Sequence, residues 1–319
     1  MTAFTLSQQW VSKVTMSEEP DIPVVGAAPV TPPTRDELQV MLDELSRTET
    51  VREMSRRKWI HPAATPLKNH VAERSHALMS FLMGQHEAAP AYAMFKGRRP
   101  SAEQTLLDDF ATRVWVGHLT QKARDCPMTK AFHPSSIDRR FLASLVQLSS
   151  RVDGPARALD AVRELGICVI LESGLPGMSV DGASFHVAGA PPVVALTVRH
   201  DRLDNFWFTL FHELGHIALH LGDPSDDIFV DAEEDNESDA VEAEAEANAF
   251  AKDSLIPRNI WLRSEAYRLG SEASVVALAR QLGIHPAIVA GRIRYERRDF
   301  RIFNDLIGRA LVREVIFGV

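Results

Sequence analysis

Residues Trp207 to His220 read WFTLFHELGHIALH. The core of this stretch, His212-Glu213-Leu214-Gly215-His216, is an H-E-x-x-H pattern. A helix turns once per 3.6 residues, so His212 and His216 stand one above the other on one face. Two imidazoles so placed suit one tetrahedral Zn²⁺. Glu213 lies about 100° round the helix from His212. That is near enough to take a proton from water at the metal without ligating it. Five letters alone are weak, since composition places them by chance in roughly a few per cent of chains this long. The flanks add weight. Thr209, His212, Glu213, His216 and His220 share one narrow sector of the helical wheel, and the other positions are nearly all apolar. Such a helix belongs in a core, where a polar sector needs partners. Histidines satisfied by ordinary hydrogen bonds are the competing reading. It does not account for the coincidence of two His, a Glu and a metal-ligand spacing.

A catalytic zinc needs a third protein ligand and an open position. One class of zinc site places a His six residues beyond the second ligand. Position 222 is Gly, so that class is excluded. His220 is a full turn further up the axis and reads as a supporting or packing residue. The helix VEAEAEANAFAKDSLIP comes next. On its wheel Ala243, Ala247, Phe250, Ala251 and Leu255 form an apolar stripe, with Glu244 and Asn248 at its border. Glu242 and Glu246 fall with Lys252 and Asp253 on the solvent side. Glu244 is therefore the carboxylate turned inward, and Asn248 is placed to steady it or a ligand histidine from behind.

Upstream, a helix ends at Gly166 and ICVILES follows as a buried strand. ASFHV and PPVVALTV read as two further strands, antiparallel across a short AGAP turn. The order is helix, small antiparallel sheet, H-E-x-x-H helix, which makes an α+β class. Residues 35–150 read as a helical module, with helices over 67–84, 101–122 and 136–150 and a basic, solvated AMFKGRRP between them. Residues 1–34 are a Pro- and Glu-containing tail without periodicity, expected to be disordered. The core that carries the H-E-x-x-H helix is expected over 151–257 and a C-terminal helical segment over 258–319. GDPSDDIFVDAEEDNESD is an acidic loop after the first histidine helix. His186, His200, Arg199 and Tyr267 are candidates to stabilise an oxyanion.

The chain has 319 residues, 45% of them hydrophobic, and a net charge of −8. That balance is not that of a general nucleic-acid binder. No apolar run approaches the ~18 residues of a membrane span, and no charged-then-apolar secretory leader opens the chain. Cys126 and Cys168 are the two cysteines. They are far apart, and Cys168 sits in an apolar run. They are expected to be separate thiols without a disulfide framework, in a reducing compartment. Cytoplasmic location is the expectation.

FTLFHELGHIALH followed by EAEANAFAKDSLIP resembles the ImmA/IrrE metallopeptidase family. The resemblance implies a zincin-like fold, Zn²⁺ held by His212, His216 and Glu244, and Glu213 as the base. RRKWIHP, ICVILESGLPGMSVDGASFH, VRHDRLDNFWFTLFHE and ARQLGIHPAIVAGRI are similar to the C-terminal part of long HigA-type antidote proteins. Their N-terminal helix-turn-helix domain has no counterpart in residues 1–34. The implied function is a zinc-dependent endopeptidase that cuts a helix-turn-helix repressor or antitoxin. The alternative is a non-catalytic, antitoxin-like or regulatory binding protein. VVALARQLGIHPAIVAGRIRYERR is itself helix-turn-helix-like, with Arg292, Arg294, Arg297, Arg298 and Arg301 nearby. Direct nucleic-acid contact through it is the lesser reading, because Ala and Val dominate the second helix. A hairpin packed on the core is favoured.

Overall fold

In the computed structural model the described residues are 45–60, 78, 92–97, 105–127, 130–187, 189–221 and 237–318; 92–97, 105–109 and 237–240 are described by backbone alone. The tail 1–34, most of the expected helix 67–84 and most of the acidic loop lie outside them. The chain forms two units, Met1–Phe81 and Leu82–Val319. In the first, α1 (Glu49–Arg56) is opened by the Thr48 side chain, which accepts from the Val51 amide. It buries Val51 and Met54.

The second unit holds a four-stranded sheet, β1 (Tyr92–Gly97), β2 (Cys168–Leu171), β3 (Val180–His186) and β4 (Val193–Leu196), in the order β1-β3-β4-β2. β3 pairs antiparallel with β4, as the sequence predicts, with Phe185 opposite Val193 and Gly182 opposite Leu196. Two features differ from expectation. β2 runs parallel to β4, so the sheet is mixed. β1 comes from the stretch read as a solvated run between helices, and pairs antiparallel with β3 from Tyr92–His186 onward. A six-residue edge strand with Lys and Gly carries little alternation, and a long-range partner decides it. β4 is flanked on both sides and buries all four of its residues.

Helices α2 (Thr105–Arg124), α3 (Arg139–Gln147) and α4 (Gly154–Arg163) precede β2. α3 begins at Asp138, whose carboxylate accepts from the Phe141 amide at 2.7 Å. After α4 the chain reverses at Gly166, at a φ of +87°, which a residue with a Cβ adopts only with strain. Cys126, just past α2, and Cys168, at the start of β2, are joined by a disulfide with Cα atoms 6.2 Å apart. This corrects the expectation of separate thiols, and with it the inference of a reducing compartment drawn from them. The 42-residue separation hid the pair, because docking of α2 against β2, not local spacing, brings the two together.

α5 (Leu203–Leu219) crosses the sheet and is the centre of the core. Trp207, Leu210, Phe211, Leu214 and Ile217 are fully buried. Its first amides are covered by the C-terminal loop: Leu203 N–H donates to Gly308 O at 3.1 Å. α6 (Glu237–Leu255) lies alongside, and α7 (Arg258–Arg263), α8 (Glu265–Leu269), α9 (Glu272–Leu282), α10 (Pro286–Arg297) and α11 (Val312–Phe317) complete the unit. α9 and α10 form the favoured hairpin. α10 buries Ala287, Ile288, Val289, Ala290 and Ile293, and a Cβ at Gly291 would lie 2.7 Å from Asp204 Cβ on α5. Arg292 and Arg294 are spent on structure. The first donates to Lys252 O and Ile256 O at the end of α6, and the second to Phe300 O and Ile302 O. No described helix is long and apolar enough to cross a membrane.

Candidate metal centre

α5 and α6 approach closely because small residues face each other. A Cβ at Gly215 would lie 3.0 Å from the Phe250 ring and 3.3 Å from Ala247 Cα. Ala243, Ala247 and Ala251 form the buried stripe of α6, as the wheel predicts. Glu242 and Glu246 are exposed. Glu244, at the border, reaches across. His212 Nε2 and His216 Nε2 are 3.0 Å apart, with Glu244 Oε1 3.1 Å from the second and Oε2 3.5 Å from the first. One ligand atom from each lies within 4.8 Å of the others. Ligands at about 2.05 Å from one tetrahedral ion stand about 3.3 Å apart, and the observed spacings bracket that value. Both imidazoles are fully buried, whereas the Glu244 side chain is 34% exposed, so the group opens to solvent on the α6 side. Burial alone would raise the Glu244 pKa. The two imidazoles outweigh it and bring it down to about 2, keeping the carboxylate charged.

Glu213 is also fully buried and projects toward the sheet. Ser184 on β3 donates to its Oε2 at 2.8 Å. Space for the carboxylate exists because residue 182 lacks a side chain: a Cβ there would lie 2.6 Å from Glu213 Oε1. Ser184 and Gly182 were missed in the sequence. Their signal is the period-two alternation of β3, which puts Gly182, Ser184 and His186 on one face.

Among the oxyanion candidates, His186 shares that face with Ser184, and burial pushes its pKa down. His200 and Arg199 are turned to Asp181, at 3.6 and 3.2 Å. Tyr267 packs edge-on against Trp261, ring centroids 5.8 Å apart. His220 packs at a tilt of 55° behind His216, centroids 5.3 Å apart, and lies 3.4 Å from Glu246. Asn248 is half-buried one turn after Glu244, and among the described residues it makes no hydrogen bond to the three converging side chains. Lys252, read as solvent-facing, is instead half-buried, with its ammonium over the Tyr295 ring.

Residues 162–294 match the family model described as the IrrE N-terminal-like domain, Peptidase_M78. No curated protein and no solved structure matches the chain. The matched span runs from the end of α4 into α10 and contains the H-E-x-x-H helix and Glu244. A metallopeptidase family implies a metal ion, and the His-His-Glu donor set, two buried imidazoles and a half-buried carboxylate, fits one. Residues 162–294, α+β and zincin-like, thus resemble a metallopeptidase domain of the ImmA/IrrE type.

Proposed function

We propose that the protein is a zinc-dependent endopeptidase that cuts a helix-turn-helix repressor or antitoxin at one exposed segment and so relieves transcriptional repression. His212, His216 and Glu244 hold the zinc. Two imidazoles and a carboxylate form a typical catalytic zinc set with room for a further ligand. Bound there, zinc polarises a peptide carbonyl and lowers the pKa of water. Glu213 takes a proton from water and delivers it to the leaving amine. The observation that carries this reading is the buried Glu213 carboxylate between the two histidines, held by Ser184 from β3. A purely structural metal site has no use for such a base. β1, at the sheet edge, offers a strand to which an extended peptide adds. A linker between the DNA-binding and dimerising parts of a repressor is such a peptide. Cutting it releases the operator, because tight binding needs both half-sites held together. The net charge of −8 complements a basic partner.

The test mixes the purified protein, zinc and a neighbour-encoded repressor, with products weighed by mass spectrometry. Two discrete fragments are expected, absent with Glu213→Gln, which keeps its zinc. An intact repressor in a persistent complex, with zinc shown to be bound, would overturn the reading in favour of a non-catalytic binding protein.

A further inference from the structure

A line of rings leads away from the metal group along α5. The His212 ring faces Phe208, one turn earlier, with centroids 6.2 Å apart and planes tilted by 34°. Phe208 stacks on Tyr295 of α10, again at 6.2 Å, with the planes 26° apart. Lys252 of α6, two turns after Glu244, places its ammonium 4.7 Å from the Tyr295 centroid. The three steps together cover no more than about five extended residues at ~3.4 Å each. They are within reach of a peptide bound at the metal group.

Three features mark this cluster as a place for a ligand. Tyr295 is a large aromatic residue left 50% exposed, while Phe208 and Lys252 are half-buried. Lys252 makes no ion pair among the described residues. Two carboxylates bear on it by charge. Asp253, its neighbour in α6, is exposed and forms no ion pair with it, and Glu296 is already used on both oxygens, by Arg292 Nε at 3.0 Å and by Trp261 Nε1 at 3.0 Å. Finally, Arg292 is fixed by the α6 carbonyls and lies over Trp261, so it cannot swing out to serve a ligand itself. Burial pushes the Lys252 pKa down, the sign of a cation that would gain from a counter-charge.

We propose that Lys252, Tyr295 and Phe208 form a substrate subsite that receives a carboxylate of the bound peptide, within about five residues of the scissile bond. The ammonium offers donors only, which suits a carboxylate, and the two near-parallel rings give its carbon chain a flat apolar wall. The proposal rests on the peptidase reading above. It adds a preference for acid at one substrate position, which that reading does not require.

The test uses the full chain with zinc and a mixed library of extended peptides. C-terminal amidation in one arm leaves Asp and Glu side chains as the only carboxylates. A second arm with free C-termini shows whether the terminal carboxylate is captured instead. Wild type is expected to favour the acidic peptide over its amide counterpart about tenfold at one position. Lys252→Ala should abolish this preference and Lys252→Glu should turn it toward Lys and Arg, with zinc content unchanged in both. If nothing is cut, peptides retained on immobilised zinc-loaded protein are sequenced. An acid preference that Lys252→Glu inverts then sustains the subsite while the peptidase reading fails. Cleavage or retention without acid preference in either arm, a preference that persists in Lys252→Glu, or no retention at all overturns it.

Discussion

Gly182→Ala tests the packing that places the Glu213 carboxylate, the base of the proposed reaction. The new Cβ would stand 2.6 Å from Glu213 Oε1 and 2.7 Å from Thr209 Cγ2, where ordinary contacts lie at about 3.5–4.0 Å. Both neighbours are side chains, so something yields. Thr209 is buried in the helix, and Glu213 is held by Ser184. Overpacking of this size costs ~1–3 kcal/mol. Loss of glycine freedom in the unfolded chain returns ~0.5–1 kcal/mol. The net destabilisation is at most about 2.5 kcal/mol, or up to about 10 °C in Tm for a unit of this size. The larger effect falls on cleavage. A displacement of about 1 Å at a catalytic group costs on the order of a hundredfold. Metal content should hold, because the atoms nearest the added Cβ belong to Glu213 and Thr209 and not to His212, His216 or Glu244. The assays are thermal unfolding, metal content by mass spectrometry, and cleavage rate. Ser184→Ala, which removes the hydrogen bond without adding bulk, separates orientation from crowding. Wild-type Tm and wild-type cleavage in Gly182→Ala would refute the close approach of β3 to α5.

Two further outcomes follow from the same geometry. Glu244→Ala and His216→Ala should weaken zinc binding by more than the ~10–100-fold that an outlying partner costs. Glu242→Ala and Glu246→Ala, on the exposed face of α6, should bind as wild type. Equal loss in Glu246→Ala would show the register of α6 to be wrong. Reductant, or Cys126→Ser, should lower the denaturant midpoint by the equivalent of ~2–4 kcal/mol, because a long loop is no longer closed in the unfolded chain. Identical midpoints with and without reductant, alongside two titratable thiols in the untreated protein, would show that the bond does not form.

What could be read from the sequence alone was what one turn of helix contains. His212, Glu213 and His216 follow from a period of 3.6, and the inward turn of Glu244 follows from the alanine stripe of its own helix. The hairpin of β3 and β4 was legible for the same reason, being local and marked by alternation and a turn. The tertiary structure decided what joins distant segments. Ser184 reaches Glu213 across 29 residues, and Cys126 reaches Cys168 across 42. β1 becomes a strand because β3 offers it an edge. Lys252 is the sharpest case. Its wheel position points to solvent, but α10 lays Tyr295 beneath the ammonium and closes off half of it. Periodicity records how a residue faces its own helix axis. It holds no record of which neighbour will later be packed against that face.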